Sequence, residues 1–290
     1  MDNLLNSNLD NIQSEFDLFG NKVEKLSIKD RIGFLPISIW QPDWTKVKQL
    51  KKIIGDTGQA REMSKHSYNW RSIGWSGPDC PQKISIFNPH LAQMILSAYC
   101  PTNAKIYDPF AGGGTRGFIA SSMGHEYYGK EIREEEINRI IEQQKILDRQ
   151  FIIKCADAQD MLTQENYFDF SYTCPPYYNL EIYSEMSTDL SAAKSYNDFL
   201  GMLDKVVKSV YYGLKPNCLS IWVVGNFRDK KGNLVYFNGD LINIGLSNGF
   251  VLHDEIIFWG ASGAANQRAG QFESNRRSVR VHEYIIIFKK

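Results

Sequence analysis

Cysteine and histidine are scarce in this sequence, with five residues of each among 290. The cysteines are scattered, odd in number and never spaced as C-x-x-C, at Cys80, Cys100, Cys155, Cys174 and Cys218. This pattern argues against a disulfide framework and against a zinc site, because both need paired Cys or His side chains. We therefore expect reduced thiols and no bound metal.

Long apolar runs and an excess charge of one sign are also missing. No apolar run approaches the ~20 residues that a membrane helix needs, and the first ten residues lack the basic and apolar stretches of a secretory signal. The 33 basic and 33 acidic side chains cancel, which argues against binding nucleic acid through bulk charge. We expect a soluble protein of the cytoplasm, without a membrane partner.

From about residue 85 onward, short strand patterns alternate with longer helical patterns. Strands are predicted at 105–107, 127–129, 151–155, 168–173, 219–224, 251–259 and 279–288, with helices between them, one of which is capped by Ser195. Such alternation is typical of an α/β protein with a parallel sheet covered by helices on both faces. Residues 1–84 carry four tryptophans and no such pattern. We predict an N-terminal appendage, 1–84, and a catalytic domain, 85–290.

A glycine-rich turn follows the first of these strands, in the sequence Asp108-Pro109-Phe110-Ala111-Gly112-Gly113-Gly114-Thr115. Glycines allow a sharp turn and close approach to a ligand, and the helix behind them presents free N–H groups. Gly112, Gly114 and Gly117 satisfy the G-x-G-x-x-G spacing of dinucleotide sites. A carboxylate at Asp108 would repel a pyrophosphate, however, and favours a ligand that carries an ammonium group.

Two further carboxylates close the next two strands. Glu131 follows Gly112 by 19 residues and can accept hydrogen bonds from ribose hydroxyls, while Asp157 can accept from an adenine amino group. Each carboxylate alone would be read as a helix cap or a solvated loop end. Three at successive strand ends indicate an adenosyl ligand with an amino-acid tail, which is S-adenosylmethionine.

The fourth strand leads directly into a tetrad, Cys174-Pro175-Pro176-Tyr177. Consecutive prolines fix the backbone and lack N–H groups, so the carbonyls can accept hydrogen bonds from a ligand. The aromatic ring that follows can stack on a planar base. A rigid loop or a polyproline recognition motif is the simpler reading, but the position at a strand end disfavours it.

Together these motifs resemble those of DNA amino-methyltransferases, which methylate cytosine N4 or adenine N6. The family pairs Asp-Pro-Phe-x-Gly-x-Gly after the first strand with [Asp/Asn/Ser]-Pro-Pro-[Tyr/Phe/Trp] after the fourth, in the γ-type order seen here. Residues 87–92 resemble the family's segment before the first strand, 281–288 its closing strand, and 180–184 the modification methylases of phages and prokaryotes. The resemblance spans residues from about 85 to 290.

The resemblance implies a Rossmann-like S-adenosylmethionine-dependent methyltransferase fold, with a mostly parallel seven-stranded sheet, a C-terminal antiparallel hairpin and the N-terminal appendage. It also implies double-stranded DNA as partner, inside a bacterial, archaeal or phage-infected cell; a restriction nuclease is a compatible second partner. The tetrad residues Cys174, Pro175, Pro176 and Tyr177 are the catalytic candidates. The cofactor-binding candidates are Phe87, Asn88, Asp108, Pro109, Phe110, Gly112, Gly114, Thr115, Glu131, Ile132, Asp157 and Ala158.

Cys174 departs from the family, which places an oxygen-bearing side chain at the first tetrad position. That side chain and the Pro175 carbonyl would accept both amino hydrogens, so that the nitrogen lone pair points at the methyl group. A thiol is a weak acceptor, so a slower enzyme, help from Thr173 or lost activity are the alternatives. The size of Cys174 slightly favours cytosine N4. The order Cys-Pro-Pro, rather than Pro-Cys, disfavours cytosine C5 chemistry.

Charge is locally uneven although it sums to zero. Residues 41–71 hold seven basic and three acidic side chains, and 261–290 hold six and two. Arg268, Arg276 and Arg277 lie in a polar loop suited to phosphates or base edges. We predict that residues 40–80 and 260–278 form the DNA-binding face.

Three other functions remain as alternatives. A related methyltransferase would act on RNA or a free nucleobase, and would be separated by comparing methyl transfer to RNA and to duplex DNA. A non-catalytic DNA-binding protein on a decayed methyltransferase scaffold would bind DNA without methyl transfer. A nicotinamide oxidoreductase, suggested by the glycines alone, would bind a nicotinamide dinucleotide instead of S-adenosylmethionine.

Overall fold

The computed structural model describes residues 28–54, 87–178, 184, 186–260 and 270–290. In this part of the chain the strands are β1 Ile39–Trp40, β2 Lys105–Asp108, β3 Glu126–Glu131, β4 Ile152–Cys155, β5 Phe168–Thr173, β6 Leu214–Val224, β7 Phe227–Arg228, β8 Leu234–Val235, β9 Val251–Trp259 and β10 His282–Lys289. The helices are α1 Ile28–Ile32, α2 Trp44–Ile53, α3 Pro89–Tyr99, α4 Thr115–Ser122, α5 Glu134–Leu147, α6 Tyr196–Gly213, α7 Phe237–Ser247 and α8 Gly270–Asn275.

One sheet organises the molecule, in the strand order β1-β9-β10-β6-β5-β2-β3-β4. The five strands from β6 to β4 are parallel, whereas β10 is antiparallel to both of its neighbours, β6 and β9. The predicted α/β fold, with its mostly parallel sheet and C-terminal antiparallel hairpin, is confirmed. All seven predicted strands are present, and the short β1 adds an eighth beside β9.

Side chains of the sheet alternate between two apolar layers, as the period of two in a strand requires. In β6, Ile221 and Val223 pack with helices α2 to α5 on one face, whereas Trp222 and Val224 pack with α6 and α7 on the other. Both layers consist of fully buried aliphatic and aromatic residues. Burial on two faces explains why the central strands read as continuous apolar runs.

Helix starts follow the capping preferences of short polar side chains. The predicted cap Ser195 accepts a hydrogen bond from the Asp198 N–H (3.1 Å) and precedes α6. Asn88 caps α3 by accepting from the N–H groups of His90 (2.9 Å) and Leu91 (3.1 Å). The main difference from the predicted boundaries is β6, which begins at Leu214 rather than near 219. None of the helices in the described ranges is long and apolar enough to cross a membrane.

The N-terminal segment packs on the sheet through Trp40 and through Leu50 and Ile54 at α2. Trp40 is only 2% exposed and contacts the rings of Phe34 (centroids 4.8 Å apart) and Tyr99 (6.0 Å). Trp44 is exposed, and Trp70 and Trp75 lie outside the described residues. The predicted boundary at residue 84 also falls there and stays a prediction.

The candidate site lies at one edge of the sheet. The parallel strands end there, and β10, which runs in the opposite direction, begins there, with Tyr284 paired to Val224. We call it the carboxyl edge. The residues that this topology brings to it include Asp108, Glu131, Thr173, Trp259 and Glu283.

Gly129 in β3 provides a test of how tightly the glycine turn is packed. A Cβ at this position would lie 2.8 Å from the Ala111 Cβ, and the Ala111 N–H is held by the Lys130 carbonyl (2.8 Å). We expect Gly129→Ala to lower the free energy of unfolding by about 1–3 kcal/mol, because the turn must shift.

Gly201→Ala is the matched control, since Gly201 is exposed on α6 and a Cβ there meets no atom within 4 Å. It should raise the free energy of unfolding by up to about 1 kcal/mol. Urea denaturation of both variants measures the difference. Equal stability of Gly129→Ala and wild type would contradict the packing described.

Candidate active site

A cavity of about 460 Å³ opens at the carboxyl edge, with mostly apolar walls. It brings together most of the residues predicted from sequence, including the whole tetrad. Ten of the predicted cofactor residues line it, namely Phe87, Asn88, Pro109, Phe110, Gly112, Thr115, Glu131, Ile132, Asp157 and Ala158, together with Cys174, Pro175, Pro176 and Tyr177. Asp108 and Gly114 do not line it.

The glycine turn forms one wall. Gly112 and Gly114 have positive φ angles (52° and 77°), a conformation that glycine adopts without a Cβ penalty. Gly114 precedes α4 as its N-cap, and the space beside its Cα is filled by Ile140, whose Cγ1 would lie 3.1 Å from a Cβ. Gly114 therefore shapes the turn from behind, while Gly112, Gly113 and Thr115 face the cavity.

Asp108 lies behind this wall, fully buried. Its carboxylate accepts hydrogen bonds from Arg116 Nε (2.6 Å), Tyr127 Oη (2.6 Å), Thr173 Oγ1 (2.7 Å) and the Phe110 N–H (3.0 Å). This corrects the expectation that Asp108 faces the ammonium group of a ligand, because Arg116 already neutralises its charge. Burial opposes the charge on Arg116, but Asp108 outweighs it and raises the pKa of the guanidinium.

Glu131 keeps a carboxylate in the cavity. Its Oε1 accepts from the Arg133 N–H (3.0 Å) and lies 3.3 Å from Arg133 Nε, which leaves Oε2 without a hydrogen-bond partner in the described part of the chain. Burial raises the pKa of Glu131, Arg133 lowers it, and the nearby carboxylates of Glu136 and Asp189 raise it further. The geometry leaves one oxygen to accept from a ligand.

The loop after β4 supplies Asp157, which is fixed by its neighbours. Asp157 Oδ1 accepts from the Gln159 N–H (2.8 Å), and the Gln159 amide also donates to the Thr188 carbonyl (3.2 Å). Lys130 Nζ donates to the carbonyls of Asp157 (3.1 Å) and Asp160 (2.8 Å). These bonds close the cavity between the loop after β4 and the segment around Thr188.

The tetrad follows β5, the neighbour of β2 in the sheet, and lines the same cavity. Thr173, just before it, is fully buried and donates its hydroxyl to Asp108. Thr173 does not line the cavity, so its hydroxyl oxygen is not placed to accept a hydrogen bond from a ligand beside Cys174. Asp108 and Pro175 lie at the same edge of the sheet, which is the spatial condition on which a shared site for cofactor and tetrad depends.

Tyr177 is half-buried, and its hydroxyl donates to Glu283 Oε1 (3.2 Å). Its ring contacts Phe227 and Phe237 edge-on, with centroids 6.4 and 6.2 Å away. Burial raises the pKa of Glu283, and the Tyr177 hydrogen bond lowers it in part. The last tetrad residue is thus positioned by a carboxyl group from the C-terminal strand.

Several lining residues were missed by sequence reasoning. Arg116 stacks over the rings of Phe87 (4.8 Å) and Tyr172 (5.8 Å) and bonds the Phe110 carbonyl. The position of a basic residue between Gly114 and Gly117 could have indicated this role of Arg116. The other missed residues that line the cavity with polar side chains are Lys130, Arg133, Thr188, Asp189 and Glu283.

The predicted DNA-binding arginines are only partly described. Arg276 is exposed, with its guanidinium 5.7 Å from the Phe272 ring, whereas Arg277 packs against the backbone of Gly232. Arg268 and residues 180–183 and 55–80 lie outside the described residues. Lys46, Lys48 and Lys52 are exposed on α2, which starts shortly after β1 at the carboxyl edge.

Comparison with solved structures defines the class of fold. The [4+2]-cyclase SpnF matches with a TM-score of 0.51 and 12% identity, over 84% of this chain and 92% of that one. An S-adenosylmethionine-dependent methyltransferase of Methanosarcina mazei (TM-score 0.48, 15% identity, 68% and 96% coverage) and TrmN of Thermus thermophilus (0.48, 16%, 70% and 49%) are also similar. This chain thus spans about half the length of TrmN. The protein has the Rossmann-like fold of S-adenosylmethionine-dependent methyltransferases.

Within that class, residues 37–143 match the DNA methylase family of N6 and N4 methyltransferases. The match confirms the predicted resemblance to the DNA amino-methyltransferases. It includes the glycine turn and Glu131 and ends before the tetrad. No curated protein sequence matches this chain.

The buried pair of Asp108 and Arg116 gives a stability prediction. Asp108→Asn would leave the Arg116 charge buried without its counter-ion, so we expect the free energy of unfolding to fall by about 3–5 kcal/mol. Chemical denaturation followed by tryptophan fluorescence measures the loss.

Asp169→Asn is the matched control, because the ion pair of Asp169 with Lys215 (2.5 Å) is partly exposed to solvent. Its effect should stay below about 1 kcal/mol. Comparable losses in the two variants would mean that burial does not distinguish these pairs.

Proposed function

We propose that this protein transfers a methyl group from S-adenosylmethionine to an exocyclic amino group of a base in double-stranded DNA. The observation that carries the proposal is the shared cavity, which is lined both by the glycine turn and Glu131 and by the tetrad. A reaction between two adjacent ligands requires both sets of residues in one space.

The lining suits an adenosyl ligand. Glu131 Oε2 is available for a ribose hydroxyl, Asp157 can accept from the adenine amino group, and Ile132 and Ala158 provide apolar surface between them. The backbone of Gly112 and Gly113 and the side chain of Asn88 would hold the amino-acid end. The cofactor supplies an activated methyl group on sulfur, and the protein has to hold an acceptor nitrogen in line with it.

The tetrad would hold that acceptor. Pro175 is buried and rigid, so its carbonyl is a fixed acceptor for one amino hydrogen. Tyr177 offers a ring on which the base can stack after it has left the duplex, at a cost of a few kcal/mol. The small side chain of Cys174 favours cytosine N4 over adenine N6.

Two segments that leave neighbouring strand ends at the carboxyl edge favour DNA as the partner. Trp40 pairs with Phe258, so the chain leaves β1 toward α2 next to the point where β9 ends at Trp259. The exposed lysines of α2 and the arginines after 270 therefore start from adjacent positions on the carboxyl edge. This face would lie on DNA in the cytoplasm of a bacterial, archaeal or phage-infected cell.

Expression in a bacterial host that lacks DNA methylation, followed by modified-base sequencing, tests the function. We expect methylated cytosine N4 or adenine N6 in a defined sequence context. Glu131→Gln should abolish or strongly reduce the modification, because it weakens the hydrogen bond to the ribose. Glu135→Gln, on an exposed neighbouring carboxylate at the start of α5, should leave it unchanged.

The alternatives are outcomes of the same experiment. Binding of DNA without modification would indicate a decayed methyltransferase scaffold, and purified protein that methylates RNA but not DNA would indicate an RNA enzyme. Either result would refute the proposal.

Arg276 tests the proposed DNA face separately. Arg276→Ala should weaken binding to a DNA duplex and reduce the slope of log affinity against log salt by about one, as expected for the loss of one phosphate contact. Cofactor affinity should not change. Lys145→Ala, on the exposed last turn of α5, is the control of equal charge. The same salt slope in Arg276→Ala and wild type would remove Arg276 from the DNA face.

A further inference from the structure

Glu283 places a carboxyl group in the cavity beside the tetrad. It is the second residue of β10, and it is followed by the buried run Ile285 to Phe288. Because β10 is antiparallel to β6, its beginning lies where β5 and β6 end. The sheet itself therefore holds Glu283 at the carboxyl edge, next to Cys174 and Tyr177.

The orientation of this carboxyl group is fixed by one hydrogen bond. Tyr177 Oη donates to Oε1 (3.2 Å), and Oε2 has no hydrogen-bond partner among the described residues. Phe258, the cross-strand neighbour of Glu283 on β9, is buried and also lines the cavity. The group is thus held by Tyr177 on one side and by an apolar wall on the other.

The proposed chemistry needs a second acceptor besides the Pro175 carbonyl, because the target amino group carries two hydrogens. The thiol of Cys174 is a weak acceptor, and Thr173 is buried behind the cavity wall, where it donates to Asp108. Three other carboxylates line the cavity. Glu131 belongs to β3, Asp157 to the loop after β4, and Asp189 to the segment at Leu190. Among the described residues that line the cavity, Glu283 is the carboxylate that hydrogen-bonds to the tetrad.

We propose that Glu283 is a catalytic residue that accepts a hydrogen bond from the target amino group and then takes its proton. The proposal rests on the function proposed above. The amino nitrogen forms a bond to the methyl carbon with its lone pair, and the methyl–sulfur bond breaks with its electron pair left on sulfur. One N–H bond breaks, its electrons stay on nitrogen, and the proton moves to the Glu283 carboxylate and from there to solvent.

Few titratable groups face Glu283 in the part of the chain that the structure describes. Tyr177 and Cys174 approach it from the segment after β5, and the phenol of Tyr172 on β5 is close enough to interact electrostatically. β6 ends with Val224 at this point, Gly225 follows it, and β9 contributes Phe258. His282 and Tyr284 adjoin it in β10 and point to the other face of the sheet. A carboxyl group in this setting has a raised pKa, which makes it a better proton acceptor.

Glu283→Gln is the direct test, because glutamine can still accept from the Tyr177 hydroxyl but cannot take a proton. Methyl transfer to DNA should fall by about 10²–10⁴-fold, the usual contribution of a general base, with cofactor and DNA affinities retained. The acid limb in the pH profile of wild-type kcat should disappear. Glu255→Gln, an exposed carboxylate on β9, is the matched control and should leave the rate and the profile unchanged.

Tyr177→Phe tests the direction in which the acid limb of kcat moves. It keeps the ring but removes the donor that stabilises the carboxylate, so the pKa of Glu283 should rise and the acid limb of kcat should move to higher pH. An unchanged limb in this variant would contradict the assignment of that limb to Glu283.

A stability measurement requires neither DNA nor cofactor. A carboxyl group whose pKa is raised by folding favours the folded state below its unfolded pKa and loses that contribution as pH rises through its folded pKa. As pH rises from the unfolded pKa to the folded pKa, the Tm of wild type should therefore fall relative to the Tm of Glu283→Gln. The difference in Tm between Glu255→Gln and wild type should not change with pH. A difference in Tm that does not change with pH for Glu283→Gln would show that folding does not raise the pKa of its carboxyl group.

Failure of the two proposals can be told apart. If wild-type protein methylates DNA and Glu283→Gln does so at the same rate with the same pH profile, the role of Glu283 is refuted and the proposed function stands. If wild-type protein transfers no methyl group to DNA, the proposed function fails and the role of Glu283 fails with it.

Discussion

The Asp108 carboxylate accepts four hydrogen bonds from parts of the chain that are distant in sequence. Arg116 belongs to α4, Tyr127 to β3 and Thr173 to the end of β5, while the Phe110 N–H comes from the turn itself. Because Asp108 and Arg116 are both buried, each would carry an uncompensated charge without the other. The glycine turn and the tetrad therefore keep their relative positions through one buried group.

This arrangement separates support from contact with ligands. Asp108 stands behind the wall, Arg116 extends from it over Phe87, and the surface of the cavity consists of backbone and of carboxylates on the neighbouring strands. A carboxylate that binds four internal donors is a poor ligand for a mobile ammonium group. Its energetic role is to fix the turn before any ligand arrives, which is the preorganisation that transfer reactions require.

Much of the fold could be predicted from the sequence because its determinants are local. The strand at 168–173, the strand at 251–259 and the Ser195 cap lie at the predicted residues, since burial on two faces and capping leave short-range patterns. The partners of Asp108 could not be predicted, because Thr173 is 65 residues away and nothing in either segment marks the pair. The contact of Tyr177 with Glu283 spans 106 residues and depends on the reversal of β10. In the sequence, only the position of Glu283 at the start of an apolar strand could have indicated this contact.

The fold alone does not determine the reaction. SpnF is described as a cyclase, although it shares this architecture over 84% of the present chain, so the chemistry must reside in the residues at the carboxyl edge. In this protein the loop after β5 offers proline carbonyls, an aromatic ring and a thiol, while β10 holds the carboxyl group of Glu283. A rigid strand can hold a carboxyl group as accurately as the loop can, because the ladders to β6 and β9 fix it on both sides. Under the proposed function, sulfur at the first tetrad position is therefore chemically tolerable, because β10 supplies a carboxyl group of raised pKa beside the tetrad.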